Sequence, residues 1–124
     1  MTNEITASKA ELALDLQNAG LDVLDYVPER LVPPIVVVSA NSPYLVPETV
    51  GNEYRLGLTL TLVAMTATNE EATEALDGLI AQTVSALATL GYVVLRQVNP
   101  AYRLQANNAE YLASDLNIDL SITL

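Results

Sequence analysis

Apolar residues recur with two different periods along the chain, and each period predicts one kind of element. Between residues 5 and 19 they form one helical stripe, and Gly20 follows where a helix commonly ends with a left-handed residue. A longer helical pattern runs from about residue 69 to Leu90, and the sequence TNEE at 68–71 is a capping box at its start. The chain is therefore predicted to contain two helices.

Alternation of apolar and polar residues predicts the strands. It is clearest in EYRLGLTLTLVAM at 53–65 and in SDLNIDLSITL at 114–124, each of which has one apolar and one polar face. Three shorter stretches also have the composition of strands, 21–28, 33–38 and 92–98, and a stretch at 102–106 either continues the strand at 92–98 or pairs with it after Asn99-Pro100. The order of elements predicts an α+β domain, with a mostly antiparallel sheet of four to five strands and two helices packed on one face.

One stretch has neither period. Residues 39–52 follow the strand predicted at 33–38, contain two prolines and show no apolar periodicity, so the sequence predicts a long loop there. Such a loop is costly to order unless something holds it. Its apolar residues are Tyr44, Leu45 and Val46. We expect the loop to be a docking arm that reaches a neighbouring subunit through these residues, mobile in the free subunit and ordered in the assembly.

The composition fits one compact domain spanning residues 1–124. The chain is 51% apolar, which is enough for a single core. Five basic residues face 15 acidic ones, and the formal charge of −10 disfavours a fixed nucleic-acid-binding surface and would repel DNA moving past the protein. The first twenty residues lack the pattern of a secretion signal and no stretch is apolar enough for a membrane span, so we expect a protein made in the cytoplasm.

Few residue types that commonly carry catalysis are present. The sequence has no His and no Cys, and Lys9 is its only lysine, so the nucleophile and base pairs of common hydrolases cannot be built. Paired carboxylates remain, at Asp22 with Asp25 and within 70–77, but solvation and helix capping account for both groups. The stretch DLNIDLS begins like a calcium loop, yet Leu120 occupies the position where that loop requires glycine. We predict no catalytic site, no bound metal and no cofactor.

The second predicted helix has an unusual outer face. Opposite its apolar stripe the residues are small and uncharged: Gly78, Ala81, Gln82, Ser85, Ala88 and Thr89. A solvated helix usually carries Lys and Glu there, so this face is predicted to pack against another helix, either the first helix of the same chain or one from a neighbouring subunit. If a neighbour covers it, Ala81, Ser85 and Ala88 are the interface residues.

Three segments together resemble a known protein family. They are VPERLVPPIVVVSANSPYL at 27–45, EYRLGLTLTLVAMTATNEEATEALDGLIAQTVSAL at 53–87 and YLASDLNIDLSITL at 111–124. In the order of elements, the VPPxVVV strand, the SPY sequence and the TNE helix start, nearly the whole chain resembles the tail-terminator proteins of long, non-contractile-tailed bacteriophages, especially phages of actinobacteria.

The resemblance implies a structural virion protein rather than an enzyme. Proteins of that family cap the growing tail tube as a ring, typically of six subunits, end its polymerisation and present the surface that joins the DNA-filled head. The implied partners are further copies of the chain, the major tail-tube protein and the head–tail connector. The implied location is the head-proximal end of the tail, after assembly in the host cytoplasm. DNA would pass through without specific binding, and the polar face of the last strand, with Asp115, Asn117 and Asp119, would line or border the channel.

Two alternatives share these features. Another phage neck or tail-completion protein would have a similar size and composition. A small cellular ligand-binding α+β domain is the alternative from a different class, and it requires a pocket between the sheet and the helices into which buried polar groups converge.

Overall fold

The computed structural model describes residues 3–24, 26, 32–48, 51–65, 70–106 and 109–124. Within these ranges there are two helices, α1 (Glu4–Asn18) and α2 (Glu70–Ala88). The same ranges contain six strands: β1 (Val23–Leu24), β2 (Ile35–Pro47), β3 (Glu53–Met65), β4 (Val93–Val98), β5 (Tyr102–Ala106) and β6 (Ala109–Thr123). The α+β class predicted from the sequence is therefore confirmed.

The strands form one mostly antiparallel sheet in the order β1-β2-β3-β6-β4, and β5 also pairs with β6. Among the described strands only β1 and β2 pair in parallel. β4 and β5 follow one another along the same edge of β6, where Val98 pairs with Leu116 and Tyr102 pairs with Ala113. Six strands are present rather than the predicted four to five, in part because Pro100, which has no N–H to donate, divides this edge in two.

Both predicted helices are present. At the start of α1 the Asn3 side chain accepts a hydrogen bond of 2.7 Å from the Thr6 backbone N–H. α1 ends at Asn18, and Gly20 follows with a φ of 94°, the left-handed conformation predicted for it. α2 coincides with the predicted second helix over 70–88, whereas residues 66–69, which include the Thr of the predicted capping box, lie outside the described residues.

One hydrophobic core joins residues of both helices to one face of the sheet. Leu12 and Leu16 of α1 and Leu76 of α2 are almost fully buried and belong to one cluster with apolar residues of β3 and β6. The strand residues in that cluster alternate as predicted: Leu56, Leu58, Leu60, Leu62, Leu116, Ile118, Leu120 and Ile122. Burying one such side chain stabilises a fold by about 1.5–3 kcal/mol, so this cluster is the main source of stability.

A second, smaller cluster lies on the opposite face of the sheet. Successive side chains of a strand point to opposite faces, and in β2 Val36 and Val38 belong to the large core whereas Ile35 and Val37 do not. The buried members of the small cluster are Ile35, Val37, Val63, Tyr111 and Ala113. The start of β2 is therefore covered on both faces, which explains its unbroken series of β-branched residues.

The long loop predicted at 39–52 is wrong for residues 39–47, because β2 continues through them. The end of β2 pairs with β3 in the order Leu45–Leu56, Val46–Arg55 and Pro47–Tyr54. Residues 41–44, which we call the β2 bulge, lie opposite Gly57 alone and interrupt the alternation. Ladder hydrogen bonds are made by the backbone, so residues 45–47 pair with β3 although the side chains of 39–47 lack the alternation of a strand. Residues 49 and 50 lie outside the described residues.

Gly57 provides the space that the β2 bulge occupies. A Cβ atom placed on Gly57 would overlap the backbone carbonyl oxygen of Pro43. Gly57 pairs with Asp119 of β6 and alternates with the buried leucines of β3, so it belongs to the polar face of the sheet. The β2 bulge therefore crosses that polar face beside Asp119.

Candidate functional site

The polar face of the sheet is centred on β3 and β6. Asp115, Asn117 and Asp119 lie on it as predicted, and each is partly buried. The residues paired with them across β3 are Thr61, Thr59 and Gly57. The further prediction that the three β6 residues face a channel concerns an assembly of several subunits and stays a prediction.

Asp115 accepts hydrogen bonds from two hydroxyl groups. Its Oδ1 lies 2.9 Å from Thr61 Oγ1 and 3.0 Å from the Tyr102 hydroxyl oxygen. The backbone N–H and the side-chain amide of Asn99 both donate to the Asp115 backbone carbonyl, at 2.9 and 3.1 Å. Burial, and then the hydrogen bond to the Asp115 carboxylate, raises the pKa of Tyr102 to about 12. Asp115 therefore links the β4–β5 junction to β3 and is not a free carboxylate.

Asp119 is flanked by arginines from both neighbouring strands. Arg55 Nε of β3 lies 3.6 Å from Asp119 Oδ2, and Arg96 Nε of β4 donates a hydrogen bond to the same oxygen. The Asp119 side chain is 15% exposed, whereas the Arg55 and Arg96 side chains are 38% and 47% exposed. Two guanidinium groups on one carboxylate leave this triad with a single net positive charge.

A hollow of about 280 Å³ opens beside the triad. It is lined by Asn41, Pro43, Val46, Arg55, Gly57, Arg96 and Asp119. We call it the arginine hollow. The hollow could not be predicted from the sequence, because alternation predicts neither strand register nor a bulge, although it correctly assigned Arg55 and Asp119 to the polar faces of their strands. In a chain with a formal charge of −10, this is a locally positive site.

The residues predicted to be the apolar tips of a docking loop are divided between the two faces of the sheet. Tyr44 and Leu45 are partly buried and pack against the large core. The Lys9 ammonium of α1 lies 5.0 Å from the centre of the Tyr44 ring, in a cation–π contact. Val46 lines the arginine hollow instead. The predicted loop is a strand here, so these three residues are held by their own chain and are not free tips.

The uncharged face of α2 is exposed along its whole length. Its members Gly78, Ala81, Gln82, Ser85, Ala88 and Thr89 all have exposed side chains or, for Gly78, an exposed backbone. The alternative in which α1 covers this face is therefore wrong, because α1 packs into the core elsewhere. A neighbouring subunit is the remaining predicted occupant of Ala81, Ser85 and Ala88.

The two helices carry a large share of the negative charge. Their acidic residues are Glu4, Glu11, Asp15, Glu70, Glu71, Glu74 and Asp77, and Lys9 is the only basic residue on either helix. On the polar face of the sheet, by contrast, Arg55 and Arg96 balance Asp115 and Asp119. The molecule therefore has an acidic helical side and a sheet face without net negative charge at its centre.

A hydrogen bond also ties α1 to the residue before β4. The Tyr92 hydroxyl donates to the Asp15 carboxylate. Burial, and then this hydrogen bond, raises the pKa of Tyr92 well above its usual range. The contact fixes the start of β4 against the helical side and adds no reactive group.

The described residues form no group of three or more Asp or Glu side chains that could hold a metal ion. In the same part of the chain, neither helix combines the length and the apolar character needed to span a membrane. Comparison of the chain with models of known protein families and with curated proteins finds no match.

Proposed function

We propose that this chain is a structural protein of a phage virion, which forms a ring on the end of the tail tube, ends tail polymerisation and provides the surface that joins the head. The observation that carries the proposal is the exposed, uncharged face of α2. The resemblance of nearly the whole chain to tail-terminator proteins points to tail assembly as the setting.

The face of α2 has the composition of a subunit interface. Ala81, Ser85 and Ala88 are exposed and recur at intervals of four and three, so they form one stripe. The centre of an interface is depleted of charged residues, whereas a helix that faces water normally carries them. Small side chains also allow another element to approach the helix closely. A second copy of the chain is the proposed occupant.

The charge distribution suits a conduit through which DNA moves. The acidic helices would repel the phosphate backbone over roughly a Debye length, about 10 Å. Asp115 and Asn117 remain candidates for residues that face the channel, whereas Asp119 is paired with Arg55 and Arg96. This pairing leaves the face without the strong positive field needed to hold DNA. The proposed partners are further copies of the chain, the tail-tube subunit and the head–tail connector.

Charge insertion on α2 tests the interface. In the variant Ala81→Lys/Ala88→Lys, two ammonium groups stand on the uncharged face, and lysine is a good helix former. We expect a folded monomer, because assembly would bury two unpaired charges. Sedimentation velocity and negative-stain imaging measure the outcome. Ala10→Lys makes the same change at an exposed alanine of α1 and should assemble like the unaltered chain. Rings formed by the double variant would contradict the proposed interface.

Tube length separates a terminator from another neck protein. When tail-tube subunits polymerise in the presence of the chain, a terminator stops their growth, whereas a neck or completion protein leaves tube length unchanged. Electron micrographs measure the length distribution, with Ala81→Lys/Ala88→Lys as the inactive control. We expect tubes of limited length only with the unaltered chain.

A further inference from the structure

We infer that the arginine hollow of one copy of this chain receives the acidic end of α2 of a second copy. By the acidic end we mean Glu70, Glu74 and Asp77, which are all exposed. The inference rests on the proposed ring and specifies which two surfaces of neighbouring subunits meet.

The arginine hollow has charge that its own chain does not neutralise. Arg55 and Arg96 share the single carboxylate of Asp119, and both keep more than a third of their side-chain surface exposed. Arginine presents several N–H donors in a planar fork, so each group retains donors for a second carboxylate after bonding the first. The hollow therefore favours a carboxylate-bearing partner.

Apolar surface borders the same arginines. Val94 pairs with Asp119 across β4 and β6, and 50% of its surface is exposed. Val46 lines the hollow from the opposite side. Arginine next to exposed apolar side chains is a typical centre of a protein interface, because burial removes the apolar area from water while the guanidinium groups bond the partner.

The outer surface of α2 matches this site in charge and shape. Glu70, Glu74, Asp77, Ala81, Ser85 and Ala88 recur at intervals of three and four and form one exposed stripe along the helix. The first half of the stripe is acidic and the second half is the uncharged face. Within the described residues, no ion pair involves Glu70, Glu74 or Asp77. These carboxylates are therefore free to meet the arginines while the small residues allow close approach.

The two surfaces lie on different sides of the molecule. The inward residues of α2 belong to the large core on one face of the sheet, whereas the arginine hollow lies on the other face with Gly57 and Asp119. Contact between them joins unlike surfaces of successive copies, so each copy can bind one neighbour on each side. Such a head-to-tail contact produces a closed ring when the rotation between copies closes.

Two complementary charge reversals test the pairing. Arg55→Glu/Arg96→Glu makes the hollow acidic, and Glu70→Lys/Glu74→Lys makes the end of α2 basic. Either variant alone places like charges at every contact and should stay monomeric. An equimolar mixture should assemble, because each hollow then meets an α2 of opposite sign when the two chains alternate around the ring. Native mass spectrometry of the mixture identifies alternating particles directly.

A milder variant covers the case in which Arg55→Glu/Arg96→Glu does not fold. In Arg55→Gln/Arg96→Gln the side chains can still donate hydrogen bonds to Asp119, and we expect assembly to require roughly tenfold more protein. Arg103→Gln is the matched control, since Arg103 pairs with Glu110 away from the hollow and its side chain is 72% exposed. This control should assemble like the unaltered chain.

Salt supplies an independent readout. Assembly of the unaltered chain should weaken between about 0.05 M and about 0.5 M NaCl, because exposed ion pairs are screened, and assembly of Arg55→Gln/Arg96→Gln should respond less. If the unaltered chain assembles and the glutamine variant assembles equally well, the pairing is wrong but the ring is not. If the unaltered chain stays monomeric under all conditions, the proposed ring itself is wrong.

Discussion

At Gly57 strand β3 has no side chain where the β2 bulge crosses the sheet, and the Pro43 carbonyl oxygen occupies that space. We expect Gly57→Ala to lower the free energy of unfolding by about 1–3 kcal/mol, because backbone must move to admit a methyl group. Gly78→Ala is the control: nothing lies within 4 Å of its added Cβ, and it should raise stability by up to about 1 kcal/mol as a helical substitution. Urea unfolding measures both, and equal effects would contradict the assigned position of the bulge.

Tyr102 makes the stability of the chain depend on pH in the alkaline range. Its pKa is raised from 10.0 to about 12 in the folded chain, so the folded state holds the proton more tightly than the unfolded state does. The stabilisation is complete below about pH 10 and is lost as pH rises towards about 12. Tyr102→Phe should therefore lose less stability than the unaltered chain over this interval. If the unfolding free energies of Tyr102→Phe and of the unaltered chain change equally with pH over this interval, the Tyr102–Asp115 hydrogen bond is contradicted.

At the scale of elements, the end of β2 is the part where structure and sequence pattern disagree most. Leu45 pairs with Leu56 and packs against the core, so Leu45→Ala should reduce the free energy of unfolding by about 1–3 kcal/mol. A free docking loop would tolerate the same change without loss of stability. Leu14→Ala on α1 is the control, since Leu14 is 55% exposed and its truncation should change stability by less than about 0.5 kcal/mol. Thermal or urea unfolding compares the two variants.

The elements with a regular period were predictable and the irregular ones were not. β3 and β6 alternate so strictly that Leu58 and Ile118 could be assigned to the core in advance, and α1 and α2 follow from their stripes. The end of β2 could not be predicted in this way. The four residues of the β2 bulge lie opposite one glycine and break the alternation, and pairing with β3 resumes at Leu45. The pairing register of the strands could not be predicted from the sequence either, and only this register places Arg55 and Arg96 beside Asp119.

At the scale of the whole molecule, one candidate surface could be predicted from the sequence and the other could not. The uncharged face of α2 follows from helical spacing and is exposed in the structure, so its composition could be recognised from the sequence. The arginine hollow combines side chains from β2, β3, β4 and β6, and it could be found only once the sheet order was known. An acidic helical side and an arginine-containing sheet face make the chain electrostatically two-sided, which favours head-to-tail assembly over a symmetric pair.

The mass of the particle that the unaltered chain forms tests the central claim most directly. Native mass spectrometry at increasing protein concentration, with negative-stain imaging of the same samples, distinguishes the possible states. The proposed ring predicts a closed particle built from several copies of the 13.3-kDa chain, with about 80 kDa for the six subunits implied by the resemblance. A species of 13.3 kDa at every concentration, both alone and with tail tubes, would contradict the proposal.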